Sequence, residues 1–308
     1  MPGPRAKTLE LRDRVHHCGL QRFGAPGGPV MQQHSTVSQF AANILVAEDN
    51  EINQDIAIRI LEGMGCKVSI AADGAVATRL LTQDKYDLVL MDCEMPGMDG
   101  FEATKRIREM EDGAEKAGTF ANGTRIPIIG LTAYASDEAR ARCLSAGMDD
   151  FLVKPLRKIQ LVQAMQRWNG EAEVADASAT IDASQVKASA DAIIDGSALD
   201  TDAFKGEKGA ALLKRLVTHF GTMAPVLVGR MREKLRAGDS EELWRMAHSL
   251  KSSAAALGAM HVSRGAAIIE KTTKEQGLQN IGPLLEQLSN NLMAALEALD
   301  ALVGEMDE

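Results

Sequence analysis

The stretch YDLVLMDCEMPGMDG, residues 86–100, decides the fold of the region around it. Its first half is an apolar run that stops at Asp92, and its second half contains the proline and glycines of a loop. A short apolar run bounded by turn residues is typical of a strand buried on both faces of a parallel sheet. The segment therefore predicts a buried strand followed by a loop, with Asp92 at the end of the strand.

Four similar runs flank this strand, and each is followed by a helix-compatible stretch. The runs are NILVAEDN (43–50), CKVSIA (66–71), IPIIGLTA (126–133) and DDFLVK (149–154). Short strands that alternate with amphipathic helices predict an α/β fold, a (βα)5 doubly wound parallel sheet with helices on both faces. Ligands bind outside the carboxyl ends of the strands in such sheets. The residues at those ends are therefore the candidate functional residues.

The predicted strand ends are rich in carboxylates. Glu48 and Asp49 end the first strand, Asp92 ends the third, and Thr132 and Lys154 end the fourth and fifth. Converging carboxylates repel one another unless a cation lies among them or one of them is protonated, and Mg²⁺ prefers oxygen ligands that include substrate phosphates. An ammonium and a hydroxyl can hold phosphoryl oxygens. The pattern predicts a magnesium-dependent phosphoryl site in which the Asp92 carboxylate is the nucleophile.

The segments AEDN, LVLMDCEMPGMDG, LTA and FLVKP, in this order and spacing, resemble a response-regulator receiver domain over residues 43–168. The resemblance implies a flavodoxin-like fold in which Asp92 is the phospho-accepting aspartate. It also implies that Glu48 and Asp49 form the acidic pair and that the backbone carbonyl of Glu94 contacts magnesium. By the same resemblance, the switch and phosphate-sensing residues are Thr132, Phe151 and Lys154.

Two local expectations accompany the resemblance. The corresponding Lys-Pro bond of the family is usually cis, so a cis bond is expected between Lys154 and Pro155. The segment from Glu111 to Arg125 contains glycines and has no apolar period. We therefore expect a mobile loop insertion there.

A second region, from about residue 200 onward, has no strand pattern, and its apolar residues recur at helical spacing. This periodicity predicts an all-α helical bundle. Asp239 or Ser240 is a suitable N-cap for the third helix. The breaks between helices are expected near Gly221, Gly238–Ser240, Gly258 and Gly277–Gly282.

The third predicted helix of the bundle has an apolar stripe and a second, unusual face. At about 100° per residue, His248 lies roughly 150° from the stripe, with Trp244, Lys251 and Ser252 around it. This geometry predicts that His248 faces solvent. The small Ser252 leaves the imidazole open to a macromolecule, and Lys251 offers a positive charge to a phosphoryl group. The predicted buried stripe consists of Leu243, Met246, Ala247, Leu250, Ala254 and Leu257.

The string AHSLKSSAAALGA resembles the HxLK(G/S) motif of histidine phosphotransfer (HPt) domains, and the resemblance covers about residues 197–305. It implies a four-helix bundle with an added N-terminal helix. His248 would be the phosphohistidine and Lys251 its electrostatic partner. Ser252 stands where the family more often has glycine, and with Trp244 it would line the docking surface.

Composition and charge exclude several classes of protein. The chain has 34 basic and 43 acidic residues, a net charge of -9, which argues against a nucleic-acid binder. No stretch approaches the roughly 20 apolar residues of a membrane helix. The four cysteines lack metal-ligand spacing and no secretory signal is present. We therefore expect reduced thiols and a cytoplasmic protein without a membrane span.

The same patterns predict the domain organisation. Residues 1–42 are rich in proline and glycine without a sustained period, which is typical of a disordered leader, and Met31 is a candidate native start within it. Residues 43–168 form the predicted receiver domain. Residues 169–196 are rich in Ala, Ser and Asp, which is typical of a flexible linker. Residues 197–308 form the predicted HPt domain.

Together the two domains predict a phosphorelay protein, similar to the C-terminal part of hybrid sensor histidine kinases. Asp92 would accept a phosphoryl group from a histidine kinase, and His248 would carry phosphoryl groups between the aspartates of receiver domains or response regulators. The sequence leaves open whether transfer from Asp92 to His248 occurs within one chain. No Walker-type loop or nucleotide glycine box is present, so the chain is expected not to be an ATP-dependent kinase.

Two alternative functions would also use these residues. The first is a magnesium-dependent phosphohydrolase with Asp92 as nucleophile. It is disfavoured because hydrolases of the dehalogenase type place a second Asp two residues after a nucleophile on the first strand, whereas here Glu94 follows Asp92 on the third. The second is an interaction module derived from a kinase with inactive sites. It is disfavoured because all the key residues are present.

Overall fold

The protein is described by a computed structural model that covers residues 40–117, 125–133, 136–168, 193–199 and 203–305. Its first region alternates strands and helices, as the apolar runs predict. The elements in chain order are β1 (Asn43–Ala47), α1 (Glu51–Gly63), β2 (Lys67–Ala71), α2 (Gly74–Gln83), β3 (Leu88–Asp92), α3 (Gly100–Ala117), β4 (Ile128–Thr132), α4 (Asp137–Ala146), β5 (Asp150–Val153) and α5 (Lys158–Trp168).

The five strands form one parallel sheet in the order β2-β1-β3-β4-β5. The strand order reverses between β1 and β3, and this switch point is where open α/β sheets bind ligands. The central strand β3 is buried along its whole length. The predicted α/β fold is therefore confirmed, and Asp92 lies at the switch point.

Alternate residues of the strands pack on opposite faces of the sheet because successive side chains point to opposite sides. Ile44 and Leu90 pack on the face that is covered by α1 and α5. Leu45 and Met91 pack on the face that is covered by α2 and α3. The core on the α1 side continues into the core of the helical region. The sheet and the bundle are thus joined by apolar contacts on the side of α1.

Two local expectations for the first region have different outcomes. The Lys154–Pro155 bond is cis, as expected. The loop expected from Glu111 was wrong over its first part, because α3 continues to Ala117. Glu111 is buried, pairs with Arg108 at 2.8 Å and accepts a hydrogen bond from the backbone N–H of Ile126 at 2.7 Å. These contacts hold the last turns of the helix in place. Residues 118–124 lie outside the described residues.

The second described region is a bundle of four long helices. α7 packs against α8 and α10, and α9 packs against the same two helices. The predicted all-α bundle is therefore confirmed, and the short helix α6 contacts α8 as an added N-terminal helix. The helices are α6 (Gly196–Leu199), α7 (Gly206–Ala237), α8 (Ser240–Ala256), α9 (Met260–Gln276) and α10 (Ile281–Glu305).

Three of the predicted helix breaks are confirmed. Gly238, Gly258 and Gly277 have positive φ angles of 76°, 72° and 69°, which L-amino acids with a side chain rarely adopt. Asp239 is the N-cap of α8, and its side chain accepts a hydrogen bond from the backbone N–H of Glu242 at 3.1 Å.

The break predicted near Gly221 was wrong, because α7 runs without interruption through this position. A glycine inside a helix costs about 1 kcal/mol relative to alanine. Phe220, Ala224 and Val228 are all buried along the same stripe of α7. Their burial offsets the cost of the glycine, so the helix continues.

The ends of the predicted leader and linker are partly described. Phe40 is buried in the core, and the backbone carbonyl of Ala42 accepts a hydrogen bond from Lys67. Asp195 donates its backbone N–H to the carbonyl of Gly258 at 2.8 Å. The remainder of both segments, including Met31, lies outside the described residues, so the domain boundaries stay predictions. Among the helices of the described residues, none is both long and apolar enough to cross a membrane.

Candidate phosphoryl-transfer site

The three predicted carboxylates come together at the carboxyl edge of the sheet. Glu48 and Asp49 follow β1, Asp92 ends β3, and these two strands are neighbours. Oxygen atoms of the three side chains lie within 4.8 Å of one another. The ammonium of Lys154, which follows β5, lies 2.6 Å from Glu48 Oε2 and 2.6 Å from Asp92 Oδ2. The structure thus brings together four of the predicted site residues.

Burial and mutual repulsion perturb the ionisation of this cluster. Burial raises the pKa of Asp92 to about 7, although the Lys154 ammonium opposes the shift. Burial, followed by the charge of Glu48, also raises the pKa of Asp49. For Lys154, burial alone would lower the pKa, but the two carboxylates outweigh it and raise the pKa. The cluster therefore carries more negative charge than a single ammonium stabilises.

This donor set fits a magnesium ion. Mg²⁺ binds oxygen ligands and is often held by one or two carboxylates together with a phosphate. The carboxylates of Glu48, Asp49 and Asp92 supply such oxygens within 4.8 Å of one another, beside a single ammonium, that of Lys154. The chemistry of the site is therefore consistent with the predicted cofactor.

Of the other predicted receiver residues, Thr132 lines the cavity beside Asp92 and Phe151 does not. Thr132 is buried at the end of β4 and lines a small cavity with Asp92 and Lys154. The volume of this cavity is about 30 Å³. Phe151 is half-buried in β5 and packs against the core on the α2–α3 side. Thr132 is thus placed to contact a phosphoryl group on Asp92, whereas Phe151 lies outside the lining of this cavity.

The apolar stripe predicted for α8 is confirmed, since all six of its residues are buried. The expectation that His248 faces solvent was wrong for this structure, because its exposed fraction is only 7%. The receiver region covers this face of α8, because α1 packs against α8 and Glu94, in the loop after β3, lies 2.9 Å from His248 Nδ1. The helical wheel placed His248 away from the bundle core, but a second domain occupies the space outside that core.

Two carboxylates hold the imidazole of His248 from opposite sides of the domain boundary. Nδ1 lies 2.9 Å from Glu270 Oε1, on α9 of the bundle, and 2.9 Å from Glu94 Oε2, in the loop after β3. Burial alone would lower the pKa of His248, but the hydrogen bonds to Glu270 and Glu94 outweigh it and raise the pKa to about 9. Burial would raise the pKa of Glu94, but His248 lowers it to about 2.

The other predicted residues of the HPt site surround this histidine. Lys251 Nζ donates to Glu270 Oε2 at 2.6 Å and lies 3.4 Å from His248 Nδ1. The Trp244 ring centroid lies 5.7 Å from that of His248. Ser252 is buried and lines a cavity of about 230 Å³ between the two domains. The charge of Lys251 is therefore engaged by Glu270 on the Nδ1 side of the imidazole.

Asp92 and His248 line the same small cavity. Its walls include Thr132 and Lys154 from the sheet edge and Arg142 from α4. The predicted phospho-accepting aspartate and the predicted phosphohistidine therefore face a common space, although they are far apart in the chain. This juxtaposition is the central geometric feature of the site.

Polar contacts along α1 hold the two domains in this arrangement. The Asn50 side chain donates from Nδ2 to Ser253 Oγ at 2.6 Å and to Ser249 Oγ at 3.1 Å. At the surface, Asp55 pairs with Arg215 at 2.8 Å. The docked surface of the receiver region is thus the start of α1 together with the loop after β3.

Three functional candidates were missed by the sequence analysis: Glu270, Asn50 and Arg142. Glu270 lies on the buried stripe of α9, between positions such as Ala266 and Thr273. A carboxylate on an apolar stripe is rarely buried without a partner, so the sequence pattern could have predicted that Glu270 pairs with a cationic or polar side chain. Asn50 is part of the AEDN segment, but only the docked bundle reveals its partners.

Comparisons with known proteins identify both regions of the chain. Residues 44–166 match the family of response regulator receiver domains, and residues 215–303 match the Hpt domain. The sensor protein GacS of Pseudomonas syringae pv. syringae is 40% identical over 134 residues, which cover 44% of this chain and 14% of that protein. Probable histidine kinase 4 of Oryza sativa subsp. japonica is 40% identical over 139 residues, covering 42% and 14%.

Solved structures include receiver domains as well. The receiver domain of a sensor histidine kinase from Pseudomonas aeruginosa PAO1, with magnesium in its active-site cleft, is 40% identical and covers 42% of this chain and 99% of that one, with a TM-score of 0.37. The complex of the Saccharomyces cerevisiae phosphotransfer protein Ypd1 with the Ssk1 receiver domain matches at 28% identity, covering 44% and 94%, with a TM-score of 0.39.

The chain therefore carries a response-regulator receiver domain followed by an Hpt domain, the domain pair of two-component phosphorelay signalling. Its curated relatives include hybrid histidine kinases such as GacS, and the matched segment makes up only 14% of that protein. The two matched domains are signalling modules of the phosphorelay.

Proposed function

We propose that the chain relays phosphoryl groups through two of its own residues, Asp92 and His248. Asp92 accepts the group from a histidine kinase, exchanges it with His248 of the same chain, and His248 passes it to the aspartate of another receiver domain or response regulator. The observation that carries this proposal is that both side chains line one cavity. Direct transfer requires the two reacting groups to meet in one water-poor space.

The receiver side of the cavity supplies the groups that phosphoryl transfer needs. The Asp92 carboxylate attacks phosphorus and forms an acyl phosphate. Lys154 and Thr132 hold phosphoryl oxygens as charge shifts onto them. Glu48 and Asp49 with Asp92, and the backbone carbonyl of Glu94, would hold the magnesium ion. When bound, magnesium neutralises the negative charge of the phosphoryl oxygens.

The Hpt side supplies the second acceptor. In the transfer step, the His248 ring first releases its Nε2 proton to solvent, because a pKa of about 9 leaves both ring nitrogens protonated at neutral pH. The lone pair of Nε2 then attacks the phosphorus of phosphorylated Asp92, and the bond between phosphorus and the aspartate oxygen breaks. The electron pair of that bond returns to the Asp92 carboxylate. The His248 ring keeps its proton on Nδ1 and becomes positively charged. Glu270 lies 2.9 Å from this Nδ1 and stabilises the charge.

The proposal also includes the phosphoryl donor, the cellular compartment and the docking surface. A histidine kinase donates the group, and the two matched domains are the receiver and Hpt modules that accept it. The residues Cys66, Cys93 and Cys143 are free thiols, which supports the proposed cytoplasmic setting. The Trp244 and Ser252 side chains beside His248 form the docking surface for receiver domains.

The relay is tested by charging the full-length chain with acetyl phosphate and magnesium. Phosphohistidine is acid-labile and base-stable, whereas aspartyl phosphate is base-labile, so intact-mass analysis after each treatment separates the two products. The proposal expects one phosphate that is absent in Asp92→Asn and becomes base-stable only when His248 is present. The same amount of base-stable phosphate in His248→Gln as in wild type would contradict the proposal. Turnover of acetyl phosphate by Asp92→Asn would also contradict it.

Mixing two variants separates transfer within a chain from transfer between chains. A His248→Gln chain can be charged only on Asp92, and an Asp92→Asn chain can accept only on His248. Transfer within the wild-type chain is expected to be independent of protein concentration, whereas transfer in the mixture rises with it. A wild-type rate that scales with concentration would show that the domains work only between chains.

A further inference from the structure

The loop after β3 contributes a side chain to the histidine site of the other domain. Glu94 Oε2 lies 2.9 Å from His248 Nδ1, which is also 2.9 Å from Glu270 Oε1. Glu94 belongs to the receiver domain, whereas Glu270 belongs to the Hpt domain. The acceptor imidazole is therefore held by one carboxylate from each domain.

The surroundings of Nδ1 determine which ring nitrogen reacts. A lone pair on Nδ1 would face two carboxylate oxygens and be repelled by them, so Nδ1 carries the proton and donates it. The phosphoryl group must then bond to Nε2. The side chains of Glu94 and Glu270 thus fix the tautomer and the orientation of the ring, and neither contributes an atom to the bonds that form or break.

We propose that Glu94 of the receiver domain is a positioning residue for His248 of the Hpt domain. The imidazole is then fully oriented only when a receiver domain with an acid at this position is docked. The inference rests on the proposed relay and deepens it. Glu270 holds Nδ1 in the docked and the separated Hpt domain alike, because both residues belong to that domain. Glu94 can act only on contact, and it therefore adds a preference for the chain's own receiver domain over receivers without this carboxylate.

The charge balance supports the role of a proton rather than a metal at this position. Glu94, His248 and Glu270 offer ligand atoms within 4.8 Å of one another. The ammonium of Lys251, however, lies 2.6 Å from Glu270 Oε2 and 3.4 Å from His248 Nδ1. A fixed cation at this distance opposes the entry of a divalent ion. The two carboxylates already contact the Lys251 ammonium and the Nδ1 atom of His248.

The test compares transfer rates in full-length chains whose Asp92 has been charged and then freed of acetyl phosphate. Starting from the charged state removes any effect of the substitution on charging. The rate constant for appearance of base-stable phosphate is expected to fall on the order of ten-fold in Glu94→Ala, the loss of one charge-assisted hydrogen bond. In Glu94→Gln, which keeps an oxygen acceptor, we expect a smaller decrease of the same rate constant. Glu102→Gln, an exposed acid on α3, is the matched control and should transfer at the wild-type rate.

A second readout separates positioning from simple docking. In the chain labelled with ¹⁵N-histidine, Glu94→Ala should change the Nδ1 resonance of His248, while small-angle scattering shows the same radius of gyration as wild type. A double-mutant cycle with Glu270→Gln should be non-additive, because both carboxylates share one N–H. A larger radius of gyration together with additive effects would reduce Glu94 to a docking contact and overturn the proposal.

The outcome also distinguishes this inference from the relay itself. Absence of base-stable phosphate in the wild-type chain would refute transfer from Asp92 to His248 and leave nothing for Glu94 to position. Wild-type transfer together with unchanged rates in Glu94→Ala and Glu94→Gln would refute the role of Glu94 alone.

Discussion

The two acceptor sites are assembled in different ways. The residues around Asp92 come from strand ends of a single sheet, where β1 and β3 are neighbours and Lys154 follows β5. The imidazole of His248 is held by Glu270 of its own bundle and by Glu94 of the receiver domain. The receiver site is therefore complete within its domain, whereas the histidine site is complete only when two domains meet.

This difference affects which partner domains each site can react with. A site that is complete in one domain can meet any kinase that reaches its edge. A site that is completed on contact is oriented best by the domain that brings the missing group. In the proposed relay, the receiver domain is therefore charged by the histidine of a kinase, and the Hpt domain is oriented most fully by a receiver that has an acid at the position of Glu94.

Removal of the Lys154 ammonium should have the largest effect, because it disrupts the site that is complete within one domain. In Lys154→Met, Glu48 and Asp92 lose the cation that lies 2.6 Å from each of them. Breaking a buried ion pair by removing one partner costs about 3–5 kcal/mol. We expect the free energy of unfolding of the receiver domain to fall by about that amount, measured by urea denaturation.

Magnesium should restore part of that loss, since a divalent cation stabilises the same carboxylates. Lys67→Met is the matched control, because Lys67 is exposed, and it should change stability by less than about 0.5 kcal/mol. Equal stability of Lys154→Met and wild type in the absence of magnesium would show that Lys154 does not balance the cluster.

A methyl group at Gly100 should be the next most damaging change. A Cβ at Gly100 would lie 2.0 Å from the backbone oxygen of Asp92, so the start of α3 would have to move away from the end of β3. We expect Gly100→Ala to lower the stability of the receiver domain by about 2–3 kcal/mol, as overpacking does. Gly113→Ala in the same helix meets nothing within 4 Å and should stabilise by about 0.5–1 kcal/mol. Similar unfolding midpoints for both variants would contradict this account.

The sequence predicted the receiver site more completely than the histidine site, and the reason is physical. Strand ends of a parallel sheet converge at one edge, so Glu48, Asp92 and Lys154 could be placed together from their positions in apolar runs. The surroundings of His248 depend on α9 and on another domain. A helical wheel describes one helix against its own core, and it could not show that the receiver covers His248 or that Glu94 reaches Nδ1.

Loss of the Glu270 charge should have a moderate effect on the Hpt domain. Glu270→Gln removes the anion that pairs with both His248 and Lys251 at 2.9 Å and 2.6 Å. A buried hydrogen bond to a charged group contributes about 1.5–3 kcal/mol. We expect a loss of about 2 kcal/mol in the stability of the bundle, because the amide keeps one acceptor. Glu275→Gln, on the same helix and exposed, is the control, and an equal loss in both would contradict the prediction.

The smallest effect should come from loosening the contact between the domains without touching either acceptor. Ser253→Ala removes the hydroxyl that accepts a hydrogen bond from Asn50 Nδ2 at 2.6 Å, while Ser249 still offers its own hydroxyl at 3.1 Å. Asn50 also caps α1 through its side-chain oxygen, whereas the other hydrogen bond of the Ser253 hydroxyl, to Ser249 O at 3.0 Å, lies within α8. The loss of the one neutral hydrogen bond across the domain contact is worth about 1 kcal/mol.

We expect this change to appear as faster amide exchange of α1 and α8 at their mutual contact. About 1 kcal/mol corresponds to roughly five-fold faster exchange where the amides open by separation of the domains. Thr222→Ala, an exposed hydroxyl on α7 that donates only within its own helix, should leave these amides unchanged. If Ser253→Ala left amide exchange at α1 unaltered but slowed phosphoryl transfer to His248, Ser253 would act on the histidine site instead of on domain docking. Ser253 would then belong to the histidine site, together with His248 and Lys251.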